Sequence, residues 1–214
     1  MIRRTSLVSL VFVLLFGANL CAAQTKYRRQ PSVRLNTLLR LELLAMEEAD
    51  QRERNKSTVM LRETTEGGFA IVDALNRLDL KHTKRLREII REFGWPSATL
   101  VGRDGAAAAF LIVQHSPLLK FQKQCLPLIR AAAKNGDLPM RDVAMLTDRI
   151  LTNEGKPQIY GTQFKNEGGM LFPFPIVDRA KIDARRASVG LPPLAEYIKM
   201  LAEEYRMPVK DKAP

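Results

Sequence analysis

Ala106-Ala107-Ala108-Ala109-Phe110-Leu111-Ile112-Val113-Gln114-His115 is the stretch that decides the fold. Four small residues let a helix approach its neighbours closely, and Phe110 to Val113 make it apolar nearly all round. A helix without a polar face belongs at the centre of a helical protein, because any other position would leave apolar surface in water. Asp104 has the chemistry of an N-cap for this helix, after a turn over Thr99–Gly105. Gln114-His115 ends it, and Ser116-Pro117 reads as the N-cap and first turn of the next helix, which runs to about Lys134. Gly136 closes that helix. Pro139 opens another, with Val143, Ala144, Leu146, Ile150 and Leu151 at helical spacing.

Upstream, a helix is expected from Ser32. Leu35, Leu38, Leu39, Glu42 and Met46 lie on one stripe, and Glu47 to Arg54 continue it almost without apolar residues. That end reads as a solvated helix extension or as a polar arm reaching a site; on spacing alone Asp50 and Arg54, at i and i+4, read as a surface ion pair worth a few tenths of a kcal/mol. Residues 55–68 lack periodicity, end in Gly67-Gly68 and read as a loop. Phe69 to Leu80 resumes helical spacing, with Asp73 and Asn76 three apart. Leu86, Ile89, Ile90 and Phe93 then mark an amphipathic helix that Gly94 and Pro96 stop. His82, set among lysines and arginines, reads as exposed.

Downstream the pattern changes. Gln158 to Phe164 and Met170 to Val177 are two extended runs around Asn166-Glu167-Gly168-Gly169, a hairpin signal, with Pro173 and Pro175 confining the second run to an edge. Asp178 is placed to cap a short helix that Gly190 ends, and Pro192-Pro193 opens a last one through Leu194, Tyr197, Ile198, Leu201 and Tyr205. The fold class is mainly α: a single-domain bundle of about seven helices with a small extended or hairpin arm near residues 157–177.

The first residues carry a different message. Met1-Ile2-Arg3-Arg4 is basic, Leu7 to Leu20 is apolar, and Cys21-Ala22-Ala23 precedes Gln24. That is the order of a secretory signal peptide, with cleavage expected after Ala23 and export to the periplasm or medium. The apolar run is shorter than the roughly 20 residues of a membrane-spanning helix, so no stable anchor is expected after cleavage. Cleavage takes 23 of the 214 residues, Arg3 and Arg4 among them, and leaves 191 residues with 32 basic against 23 acidic side chains. Residues 24–31 are expected to form a flexible arm, 32–206 the helical domain and 207–214 a flexible tail. Cys125 is then the sole thiol, so no internal disulfide forms, and its apolar neighbours place it in the core.

The basic side chains are spread over three groups without interleaved aromatic residues, and no helix-turn-helix or zinc-finger spacing occurs. No nucleic-acid partner is expected of this exported chain. Two separated histidines and a single mature cysteine give no metal pattern. P-loop, dinucleotide-binding and Gly-x-Ser-x-Gly motifs are absent, so no cofactor is expected. What remains is polar chemistry in Asp148-Arg149 and in Gln158-Ile159-Tyr160-Gly161-Thr162-Gln163. Read as a strand, the latter puts Gln158, Tyr160 and Thr162 on one face, as the wall of a polar site. His115, where a buried helix meets a Ser-Pro break, is placed for acid–base work if a carboxylate orients it, with Asp148, Asp183 and Asp73 as candidates. It is equally placed to bond the free carbonyls of a helix C-terminus. Arg149 suits an anionic ligand, as does Arg186, and Gln114 and Gln122 lie close enough to join them.

Gly94-Trp95-Pro96, Gly102, Gln114-His115, Asp148-Arg149, Gly155, Gln158, Tyr160-Gly161-Thr162-Gln163, Asp183, Arg185-Arg186 and Gly190-Leu191 resemble an uncharacterised bacterial family catalogued only as a domain of unknown function. Asp50-Gln51 and Asp73 with Asn76 are similar to its earlier motifs. The resemblance spans roughly residues 35–200 and implies a domain boundary and a set of polar residues, without a reaction. Three functional readings follow. The first is a binding domain for a small polar or anionic ligand or envelope fragment, using Arg149, Gln158, Tyr160, Thr162, Gln163, Gln114, Gln122, Asp183 and Arg186. The second is a cofactor-free hydrolase or lyase with His115 as acid/base, one of Asp148 or Asp183 as its orienting carboxylate, and Arg149 or Tyr160 stabilising negative charge. The third is a buried polar network that ties the extended arm to the helices.

Overall fold

The computed structural model describes residues 35–63 and 68–210. The expected signal peptide, the arm at 24–31 and the last four residues of the tail lie outside them. Among the described residues the chain forms seven α-helices and one two-stranded antiparallel sheet. None of these helices is long and apolar enough to cross a membrane.

The first helix, α1 (Thr37–Glu63), begins where Asn36 caps it: the Asn36 Oδ1 accepts the Leu39 amide at 3.1 Å. Its buried line runs Leu39, Leu43, Met46 and then Asp50, at spacings of four, three and four. The same face that fills the core with leucine therefore carries a carboxylate inward. The expected loop at 55–68 is helical up to Glu63, because arginine, glutamate, lysine and leucine sustain a helix without an apolar stripe. Downstream, the two helical segments expected between Phe69 and Phe93 are one continuous helix, α2 (Gly68–Phe93). Its buried line is Asp79, His82 or Thr83, Leu86 and Ile89. His82 is thus interior rather than exposed, and burial lowers its pKa.

The alanine-rich stretch lies in α3 (Ala98–His115), which opens earlier than expected and breaks at Gly102, where φ is +78°. Asp104 stands just after the break, accepts the Gly105 amide at 2.8 Å, and pairs with Arg40 of α1; the Arg40 guanidinium holds its carboxyl at about 2. Val101, Ala106, Ala108, Ala109, Phe110, Ile112 and Val113 are all buried. α3 packs against α1, α2, α4 (Leu119–Lys134) and α5 (Met140–Asn153), which makes it the central element that its composition requires. Leu43, Leu86, Ile89, Ile129 and Leu146 are fully covered around it, each worth about 1.5–3 kcal/mol of burial. Cys125 is buried among these groups, and desolvation pushes its thiol up to about 12.

The hairpin follows α5. β1 (Phe164–Glu167) and β2 (Met170–Pro173) pair with Phe164 opposite Pro173 and Glu167 opposite Met170. Gly168 and Gly169, both at positive φ, form the two-residue turn that matches strand twist. A short turn at Arg179–Lys181 leads into α6 (Ile182–Ser188), and α7 (Leu194–Tyr205) ends the helical part. The tail does not fray at once: the Leu171 amide donates to the Pro208 carbonyl and the Lys210 amide to the Leu171 carbonyl, both at 2.9 Å.

Candidate functional site

The inward-facing polar ends of α1 and α2 meet the C-terminal end of α3. Arg54, one turn after Asp50, bridges two acids: its Nε donates to Asp50 at 3.1 Å and its terminal nitrogen to Asp79 at 2.7 Å. The Asp50 carboxylate also lies 2.9 Å from Nδ1 of His115. Burial alone would raise the Asp50 carboxyl, but hydrogen bonds and charge from His115 and Arg54 hold it below the usual carboxylate range. Asp79 is pushed the other way, because burial there outweighs Arg54.

Nδ1 of His115 is 2.9 Å from Arg54 Nε as well, so its proton has to be assigned from the network. A bare Nδ1 would set its lone pair against the Asp50 oxygens. A protonated Nδ1 donates to Asp50 while Arg54 Nε donates to the same carboxylate, so the anion holds together two N–H groups that lie side by side. Asp50 therefore fixes the ring orientation through Nδ1 and leaves Nε2 outside this contact.

Two adjoining cavities of about 590 and 520 Å³ share His115, Gln114, Arg149, Asn153 and Tyr205. The first continues over Arg54, Asn76 and Asp79. The second runs under the hairpin, past Thr162, Gln163 and Lys165, onto the carbon surfaces of Phe110, Leu111, Met145, Phe174 and Leu201. Arg149, on α5, is the cation between them. Burial lowers its pKa, Arg54 adds like-charge repulsion, and its Nε is buried without a hydrogen-bond partner. Among the described residues its guanidinium forms no ion pair. Gln114 is 3 % exposed, and both its amide oxygen and its amide nitrogen lack partners. Buried polar atoms are ordinarily paired; Trp95 Nε1 and Arg186 Nη2 also lack partners, but of these four side chains only Gln114 and Arg149 border the two cavities.

Of the residues singled out from sequence, His115, Gln114, Arg149, Thr162 and Gln163 line these cavities. The others lie behind the wall or away from it. Asp148 is fully buried, and its carboxylate accepts four donors: the amides of Ile159, Tyr160 and Thr162, and the Thr162 hydroxyl, at 2.8–3.1 Å. It orients the 158–163 loop, and the carboxylate on His115 is Asp50 instead. Gln158 is also fully buried, donating to the carbonyls of Gln163 and Phe174 and accepting the Gln163 amide. Tyr160 packs with Ala144, Val189 and Leu191. The expected alternation of Gln158, Tyr160 and Thr162 fails because Gly161 turns the chain at φ +66° and Asp148 draws consecutive amides to one point.

Arg186 is wholly interior, donating to the carbonyls of Pro192, Tyr160 and Gly161 and stacking on the Tyr197 ring at 4.7 Å. Asp183 accepts the Leu194 amide at the start of α7, and exposed Asp73 pairs with Arg77. Gln122 donates to the carbonyls of Val113, Gln114 and Ser116, so it, rather than His115, occupies the end of α3.

Spacing did not single out Asp79 and Tyr205 as site residues, and the Asp50–Arg54 pair, read from spacing as a surface one, faces inward. The signal for Asp50 was present: it extends the buried line Leu39, Leu43, Met46 by one further helical step.

Fold and site together describe a single-domain, mainly α protein whose helices surround a cationic and amide-lined hollow. A family model described as a family of unknown function (DUF6624) matches residues 37–210, and the chain belongs to that family. No curated protein and no solved structure matches the chain.

Proposed function

We propose that this protein is an exported binding domain for a small anionic ligand held at Arg149. The observation that carries the reading is a half-buried guanidinium, its Nε covered and unpaired, that borders two cavities with no carboxylate paired to it. A buried charge costs stability unless something neutralises it, and an anion entering beside Arg149 does so, with two parallel N–H donors suited to a carboxylate or phosphate. Thr162, Gln163 and Asn153 add hydrogen-bonding groups, and the carbon surfaces under the hairpin take the rest of the molecule. Export rests on the basic start, the apolar run from Leu7 to Leu20 and the small residues before Gln24. N-terminal sequencing of the mature protein tests it, with Gln24 expected first.

The binding reading is tested by titration calorimetry of small carboxylates and phosphate against the wild type and Arg149→Met. A ligand at about 100 times its Kd should add about 2.7 kcal/mol of stability to the wild type. Arg149→Met should lose that effect and yet melt no lower, because it removes an unpaired buried charge and keeps the volume. Anion binding that survives in Arg149→Met would overturn the reading.

A second reading has its own observation: the Asp50–His115 contact at 2.9 Å, at the edge of both cavities. It gives general acid–base chemistry at Nε2, in a cofactor-free hydrolase or lyase, with Asp50 as the orienting carboxylate and Arg149 stabilising negative charge. Turnover that follows a single ionisation and disappears in both His115→Gln and Asp50→Asn would support it. Turnover undiminished in His115→Gln would refute it.

A further inference from the structure

Gln114 carries information that Arg149 does not. Its carboxamide is 3 % exposed, borders both cavities beside Arg149, and has neither a donor nor an acceptor partner. Exchanging its oxygen and nitrogen changes nothing, since both atoms are unpaired. Gln163, which also lines the second cavity, is different: its amide nitrogen donates to the Thr162 hydroxyl at 2.9 Å. Gln122, the next buried glutamine along the chain, donates to three carbonyls and accepts from Asn153. The protein thus satisfies its other interior glutamines and leaves Gln114 open on both sides.

The group that answers both atoms of a carboxamide together is another amide, whose N–H meets the oxygen and whose carbonyl meets the nitrogen. A guanidinium next to it answers a carboxylate. Resting on the anion-binding reading above, we infer that the ligand is an N-acyl amino acid or the C-terminal end of a short peptide: its carboxylate is held by Arg149, its adjoining amide is read by Gln114, and its acyl side lies on the carbon surfaces of Phe110, Leu111 and Met145. Cavities of this size hold a molecule of a few residues. Thr162 stands on the same wall as Met145, where a side chain or the acyl group passes beneath the hairpin.

Two probes separate this inference from simple anion binding. N-acetylglycine and 4-oxopentanoate have the same length, shape and carboxylate, and differ only in an amide N–H replaced by CH2. Binding of each to the full mature chain is followed by nuclear magnetic resonance titration. The wild type is expected to bind N-acetylglycine at least about tenfold more tightly, since the ketone leaves the Gln114 oxygen unpaired inside the protein. Gln114→Leu is expected to bind the two probes equally and to melt no lower than wild type, because an unsatisfied buried amide has been replaced by carbon. Equal affinities in the wild type would overturn the inference, and that comparison needs no variant to fold. Discrimination that persists in Gln114→Leu would overturn it too. If both probes bind with Arg149 dependence but without preference, the amide inference alone has failed. If neither binds, the anion reading has failed and the inference falls with it.

Discussion

Replacing Asp148 separates a residue that builds the site from one that acts in it. The Asp148 side chain is fully buried and accepts four donors at 2.8–3.1 Å, three of them backbone amides of the loop that carries Thr162 and Gln163. Hydrogen bonds to a charged group contribute about 1.5–3 kcal/mol each, so four would sum to roughly 6–12 kcal/mol if they were independent. They are not, since one loop movement frees several together and lets water reach them, and single substitutions seldom exceed about 4–5 kcal/mol. Asp148→Ala is therefore expected to cost about 4 kcal/mol, which for a domain of this size lowers Tm by about 8–16 °C. Asp148→Asn keeps one acceptor but turns an NH2 group toward amide donors, and about half that loss is expected. Differential scanning calorimetry of the two variants measures this directly. A Tm change below about 3 °C, accompanied by loss of ligand binding, would refute the reasoning and return Asp148 to the ligand.

Other perturbations test other parts of the account. Gly161→Ala places a Cβ 2.9 Å from the Ile182 Cδ1 at a φ of +66°, and the combined backbone and packing penalty should lower stability by about 2–4 kcal/mol in urea titration. Arg54→Met leaves Asp50 and Asp79 without their shared cation; Arg54 is 28 % exposed, so a loss of about 2–3 kcal/mol in thermal unfolding is expected rather than the full value for a buried pair. Asp142 is buried at the start of α5, and desolvation raises its carboxyl from 3.8 to about 6. Between those values the folded protein keeps a proton that the unfolded chain has released, so stability falls as pH rises through this window, by at most about 3 kcal/mol. Asp142→Asn should remove that fall and be the more stable protein at neutral pH, which unfolding curves at pH 4, 5, 6 and 7 would show.

Sequence exposed the core more fully than the site, for physical reasons. Phe110 to Val113 could only be buried, whatever surrounds them, and the chain does pack four helices around them. The hairpin was legible because Gly168-Gly169 demands its turn. His115 and Arg149 stood out because few side chains carry their chemistry. Asp50 was hidden by an ambiguity: an acid four residues before an arginine reads as a solvated pair on any exposed helix, and only a tertiary neighbour makes it interior; Asp79 meets Arg54 only across helices, which no local spacing shows. The continuation of the Leu39–Leu43–Met46 line into Asp50 was the one local clue. The row from Gln158 to Thr162 misled because strand alternation assumes amides that point in opposite directions, whereas Asp148 gathers neighbouring ones. Gln114 could not have been recognised as unpaired from sequence, since a partner can come from anywhere in the fold.

These residues also share a pattern. Arg149 Nε and both amide atoms of Gln114 have no partner beside the cavities, whereas the fully buried Asp148 and Gln158 have their polar atoms engaged with the 158–163 loop and its neighbours. Binding groups are commonly held in this state, because contacts kept open for a ligand are contacts the fold itself does not make. On the proposed reading the first pair serves recognition and the second builds the scaffold that positions it.

The most direct measurement is the side-chain Nε–H resonance of Arg149 in protein labelled with 15N-arginine, followed while N-acetylglycine is added. That resonance is expected to shift progressively and to saturate, with the signals of exposed arginines such as Arg52 and Arg77 left in place. A titration in which Arg149 does not move, or in which every arginine moves alike, would contradict it.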